Sequence, residues 1–162
     1  MQNITYPKNE FNNLKRNSVL MDCIEDKQID LFNNLLNDNV NIEYKNKDGN
    51  TALLCAIHSG DIYFVKKLIQ FNANINVLDE NNFSPLLIAL SLKNKEIINL
   101  LIENGADVNL KTTDCNGNLI APLDYAHRVL SIKVKDNYII PEEYLCIIKN
   151  LLIKGAKPRF KL

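Results

Sequence analysis

Apolar residues along this chain recur in short helical stripes separated by polar, turn-forming segments. Val65, Leu68 and Ile69 stand at i, i+3 and i+4, and so do Ile98, Leu101 and Ile102. That spacing places each set on one face of a helix. A shorter stretch rich in small apolar residues precedes each stripe: Leu53, Ala56 and Ile57 in one case, Leu86, Ala89 and Leu90 in the other. Gly60, or Lys93-Asn94, divides the two stretches. Thr51 and Ser84 can cap the leading helix through their hydroxyls, and Pro85 and Pro122 suit its first position, where the N–H is unpaired anyway. Gly105, Gly155, Asn39 and Asn72 are expected to close the following helix in the left-handed conformation. The pattern predicts pairs of short helices, none of which buries its apolar stripe alone.

These pairs repeat. Thr51-Ala-Leu-Leu-Cys-Ala, Ser84-Pro-Leu-Leu-Ile-Ala and Ala121-Pro-Leu-Asp-Tyr-Ala are variants of one phrase, with a fainter copy at Ser18-Val-Leu-Met-Asp-Cys. The second residues, Val19, Ala52, Pro85 and Pro122, are 33, 33 and 37 positions apart. A second marker follows each: Asn39-Val-Asn-Ile, Asn72-Ala-Asn-Ile, Gly105-Ala-Asp-Val and Gly155-Ala-Lys-Pro, at steps of 33, 33 and 50. In the first three copies the markers are always 20 residues apart. A constant period with two markers in register is the signature of a solenoid.

The period, the phrase Ser84-Pro-Leu-Leu-Ile-Ala, the turn Asp48-Gly-Asn-Thr-Ala-Leu and the closing Gly105-Ala-Asp-Val-Asn together resemble the ankyrin-repeat family. The resemblance implies an all-α fold, an ankyrin-repeat α-solenoid of about four helix-turn-helix repeats. After a lead-in at 1–12, a single domain spans 13–162, with repeats at about 13–45, 46–78, 79–111 and 112–162. The first copy is degenerate, as a capping repeat would be, and the last is expanded. The family's histidine after Pro-Leu is replaced by Leu54, Leu87 and Asp124, which removes its usual hydrogen bonds to the turn. Four extra residues enter the turn between Leu110 and Ile120, and 13 more separate Pro122 from Gly155. The larger insertion either lengthens both helices of the last repeat as a C-terminal cap or forms a loop with a function of its own. Pro141-Glu142-Glu143 reads as a helix start with acids in its first turn.

The resemblance further implies a protein–protein interaction module that binds one partner protein through its turn tips and the exposed side of the leading helices. The tip positions are Lys47 and Asn50, then Glu80, Asn81 and Phe83, then Asn118 and Ile120. The helix positions are His58 and Ser59, Ser91 and Leu92, Arg128 and Val129. Phe83 stands out, because its equivalent one repeat earlier is the polar Asn50. An exposed aromatic there suits a contact anchor; the alternative is that it tucks against a neighbouring turn. Leu92, Val129 and Ile120 would extend an apolar patch beside it, and Arg128 would meet an acid on the partner. Small ankyrin-repeat proteins resemble inhibitors, immunity proteins and host-directed effectors. A self-assembling structural role, with the expanded last repeat as the oligomer interface, is the alternative.

Composition narrows the picture without redirecting it. The chain has 162 residues, with 19 basic and 19 acidic side chains and no formal net charge. A basic surplus of the kind that neutralises nucleic-acid phosphates is missing. The cluster Lys149, Lys154, Lys157, Arg159 and Lys161 is expected to complement the last helix's dipole. Heavy use of Asn, Lys, Ile and Leu is what an AT-rich genome produces. Cys23, Cys55, Cys115 and Cys146 are far apart and read as free thiols; neither His58 nor His127 has the neighbours of a metal ligand. His127 is expected as a core or edge histidine, Glu142 and Glu143 point apart, and the five glycines are isolated. The expectation is therefore a non-enzyme with no catalytic residues, no cofactor and no metal. It would bind neither nucleic acid nor membrane and be a monomer when free. With no signal peptide or membrane-length apolar run, it is expected to be cytoplasmic, or exported by another route if an effector.

Overall fold

A computed structural model describes residues 13–38, 40–113, 119–134 and 137–157; the lead-in at 1–12, the predicted cap Asn39 and the end of the basic tail lie outside them. Among the described residues eight helices run in pairs: α1 (Asn13–Glu25) with α2 (Ile29–Asn37), α3 (Ala52–Ser59) with α4 (Ile62–Gln70), α5 (Pro85–Ser91) with α6 (Lys95–Glu103), and α7 (Pro122–Leu130) with α8 (Glu142–Ile153). Leading helices stack in one row, α1 on α3 on α5 on α7, while α4, α6 and α8 form a second row. This is the all-α solenoid that the repeat predicted.

The core fills the space between the two rows. Phe32 and Phe64 are fully buried and meet edge to face at 4.8 Å. Leu53, Ala56, Ile57, Leu86, Ala89 and Leu90 are buried, as are Val65, Leu68, Ile98, Leu101 and Ile102, so both stripes face inward as their spacing requires. Leu54 and Leu87, standing in for the family's histidine, are also wholly buried. The two preceding cap residues behave differently. Thr51 does not cap α3 as expected, and its buried hydroxyl has no hydrogen-bond partner. Ser84 does cap α5, its Oγ accepting from the Leu87 N–H at 3.4 Å. Asp61 and Asn94 cap α4 and α6 through the N–H groups of Tyr63 and Ile97.

Left-handed residues recur at the repeat period. Lys27, Gly60 and Lys93 turn the first three leading helices into their partners with φ of 55°, 72° and 55°. Asn72, Gly105 and Gly155 close the second helices at 62°, 88° and 88°, as expected. Beyond these closures, Glu43, Asn76 and Asn109 link consecutive repeats. Their side-chain oxygens accept from the backbone N–H groups of Asn74 (2.6 Å), Asp107 (2.8 Å) and Lys157 (2.9 Å), each in the repeat that follows.

The expanded repeat departs from expectation. The insertion goes only in part into longer helices, α7 with 9 residues and α8 with 12: after α7 ends at Leu130 a small antiparallel hairpin follows, β3 (Ile132–Val134) against β4 (Asn137–Ile139). Pro141 then stands at the N-cap of α8. The longer turn before α7 is also a hairpin, β1 (Thr112–Thr113) against β2 (Leu119–Ile120). His127, predicted at the core or its edge, is exposed; the adjacent Ala126 fills the interior position instead.

Candidate partner-binding groove

Two turn tips are each shaped by one side chain at the base. Asn46 Oδ1 accepts from the N–H groups of Asp48 (3.0 Å) and Asn50 (2.9 Å). One period later Asp79 does the same for Asn81 (2.9 Å) and Phe83 (2.7 Å). The Thr112 hydroxyl then donates to the Asn82 carbonyl at 2.6 Å, tying the third tip to the second. Lys45 Nζ reaches the Leu78 carbonyl at 2.8 Å. Tips held by this many local hydrogen bonds present their outer side chains at little ordering cost on binding.

Between the tips and the leading helices lies an open cleft of about 530 Å³, lined by His58, Asp79, Asn81, Phe83, Ile88, Ser91 and Thr113. Four of these, His58, Asn81, Phe83 and Ser91, were predicted contact positions, and the fold brings them to one place. Lys47 and Glu80 are exposed on the tips flanking it, with Asn50 half-buried. The Glu80 side chain lies over Gly49, where an added Cβ would come within 2.1 Å of its Cγ. Ser59 and Leu92 are exposed at the ends of α3 and α5, but Val129 and Ile120 are half-buried and packed on the core. Asn118 lies outside the described residues.

Phe83 is not the exposed aromatic considered for a contact anchor. It is half-buried, and its ring meets Tyr125 edge to face at 5.9 Å. Arg128 in turn places its guanidinium carbon 5.0 Å from the centre of the Tyr125 ring. Its ring partner stands on the helix α7, not on a neighbouring turn, and the three side chains form one stack across the last two repeats.

Ile88, Tyr125, Asp79 and Thr113 were missed from the sequence. A signal existed for two of them. Cys55, Ile88 and Tyr125 each stand three residues before His58, Ser91 and Arg128, so each pair shares a helix face. These are the side chains beneath the exposed ones, and Ile88 among them lines the cleft. Ser91 Oγ donates to the Ile88 carbonyl at 2.7 Å, which leaves its lone pairs for a partner.

Acids gather at the other end of the leading-helix row. The half-buried Cys55 thiol is pushed up to about 11, first by burial and then by the charges of Glu25, Asp48 and Asp22. Buried Cys23 is also pushed up to about 11, by burial and then Asp22 and Asp26. Both stay protonated near neutrality, the opposite of an activated nucleophile. Among the described residues, no group of three or more His, Cys, Asp or Glu could hold a metal ion, and no helix is long and apolar enough to cross a membrane.

A row of short helix pairs with preformed tips beside an open groove defines a helical-repeat interaction module. A family model described as ankyrin repeats (3 copies) matches residues 20–112, more than half of the chain, and the chain belongs to the ankyrin-repeat family. The match runs from Leu20 in α1 to the first residue of β1, while α7 and α8 lie beyond it. No curated protein matches the chain. Ankyrin repeats are protein–protein interaction modules and are generally not enzymes.

Proposed function

We propose that the chain binds one partner protein in the groove formed by the tips and leading helices of its second to fourth repeats. The observation that supports this reading is the cleft itself: a floor of Ile88 with Phe83, and polar walls from His58, Asn81 and Ser91, all set at its mouth. A floor that excludes water with polar groups around it is the arrangement in which a few contacts carry most of a binding energy. The finer role we assign is inhibition: the bound partner, a toxin or another enzyme, is held with its working surface covered. That role rests on the likeness of small ankyrin-repeat proteins to inhibitors.

The test fills the groove without touching the core. His58→Glu, Asn81→Arg and Ser91→Arg place bulky charges at exposed positions around the cleft. Lys66→Glu and Glu103→Arg, exposed on the second-helix row, serve as controls. Partner capture should be lost with the first set and kept with the second, with helical circular dichroism unchanged throughout. Equal capture by both sets would refute the groove. A captured enzyme that keeps full activity at saturating amounts of the chain would refute inhibition alone.

A further inference from the structure

Asn46, Asp79 and Thr112 occupy one position of the repeat, 33 residues apart each time. Asn46 and Asp79 do the same structural work there. In each, a single side-chain oxygen accepts from two backbone N–H groups of the tip ahead of it. A carboxamide is sufficient for that, as Asn46 shows. Asp79 therefore carries a second oxygen and a negative charge that the turn does not need. Of the three residues it is also the one that lines the cleft, beside Phe83, Ile88 and Ser91. Asp79 is half-buried, so its charge is only partly hydrated. Among the described residues it has no salt bridge. Lys45 reaches the residue before it, yet that ammonium group donates to the Leu78 carbonyl at 2.8 Å.

We infer, resting on the groove reading above, that Asp79 receives an arginine side chain from the partner protein. The surplus charge calls for a cation, and the rest of the lining calls for a ligand that only donates hydrogen bonds. The Ser91 hydroxyl has already committed its hydrogen to the Ile88 carbonyl, so it meets the cleft as an acceptor. The Asn81 side-chain carbonyl and the Thr113 hydroxyl add acceptors at other points of the same lining. A guanidinium has several N–H groups fanned out in one plane and no acceptor, whereas an ammonium concentrates its donors at one point. The floor makes the same choice. Phe83 and Ile88 offer an aromatic and an aliphatic surface, on which a flat, weakly hydrated guanidinium packs and a strongly hydrated ammonium does not. Arg128 makes a contact of this kind in the next repeat, its guanidinium carbon 5.0 Å from the centre of the Tyr125 ring.

A displayed library of random linear peptides, selected on the full chain, supplies the probes. Selected peptides should share an arginine. Replacing it by citrulline, which keeps the shape and removes the charge, should weaken binding on the order of tenfold, and lysine should recover little of that. Asp79→Asn should weaken the arginine peptide to a similar extent and leave the citrulline peptide as it was, because both changes remove the same pair. Its circular dichroism and urea midpoint should match the wild type, since Asn46 builds the same tip with a carboxamide. Ser91→Arg separates this inference from the reading it rests on, by filling the cleft. Peptides that Ser91→Arg abolishes but that ignore citrulline or Asp79→Asn would overturn the arginine and leave the groove standing. Peptides that bind Ser91→Arg undiminished, or a selection that returns no binder, would overturn both.

Discussion

The ring of Phe83, at the tip before α5, meets the ring of Tyr125, on the following leading helix, edge to face with centroids 5.9 Å apart and planes at 78°. The contact joins the third repeat to the fourth, which lies beyond the family match, and forms one end of the groove floor. Aromatic pairs in this geometry contribute about 0.5–1.5 kcal/mol beyond the area they bury. A double-mutant cycle in urea with Phe83→Leu and Tyr125→Leu should therefore return a coupling of about 1 kcal/mol. Additive single effects would mean that the two rings stabilise their repeats independently.

Thr51 should tolerate loss of its hydroxyl. The group is buried without a partner, and an unsatisfied polar atom of this kind costs about 1–3 kcal/mol. Thr51→Val keeps the shape and removes the cost, so its urea midpoint should rise by an amount corresponding to about 1 kcal/mol. Ser84→Ala should move the other way by about 1 kcal/mol, because that hydroxyl caps α5.

The left-handed turn residues offer a second comparison. Lys93 holds a φ of 55° where the preceding repeat has Gly60 at 72°. Lys93→Gly should stabilise by about 1 kcal/mol by relieving a conformation that side chains disfavour. Gly49→Ala should destabilise more than Gly60→Ala, because its new Cβ would also displace Glu80. Thermal melts of the three variants give the order.

Removing a rung of the inter-repeat ladder should loosen one joint. Asn76→Ala leaves the Asp107 N–H without its 2.8 Å acceptor, and the expected loss is about 1 kcal/mol. Amide exchange at Asp107 should accelerate while that at Asn74, held by Glu43, stays as it was.

The thiols set an alkaline limit. Cys23 and Cys55 are raised from 9.0 to about 11 on folding. Between those values the unfolded chain releases protons that the folded chain retains, so stability falls as pH rises from about 9 towards 11. Cys23→Ala/Cys55→Ala should flatten that decline in urea melts taken across the range. At neutral pH, exposed Cys146 should react with a maleimide well before either of them.

Much of the fold was legible because the repeat states it several times. The apolar stripes of α4 and α6, the leading helices, and the left-handed closures at Asn72 and Gly105 all follow from spacing and residue type, which are local properties. The groove was legible in part. Positions on the exposed side of a helix follow from period, so His58 and Ser91 were found, but the floor beneath them was not.

Residue pattern alone determined the solenoid, its period and the sides on which its helices pack, since a stripe at i, i+3 and i+4 can be buried in only one direction. It could not determine what each side chain meets. The partner of Phe83 comes from the next repeat, the hydroxyl of Thr51 is buried without a partner while that of Ser84 caps its helix, and His127 is exposed beside a buried alanine. The insertion after α7 became a hairpin because strand pairing links residues on both sides of a turn, which no helical period records. Those outcomes depend on distances between repeats, and only the packed chain sets them.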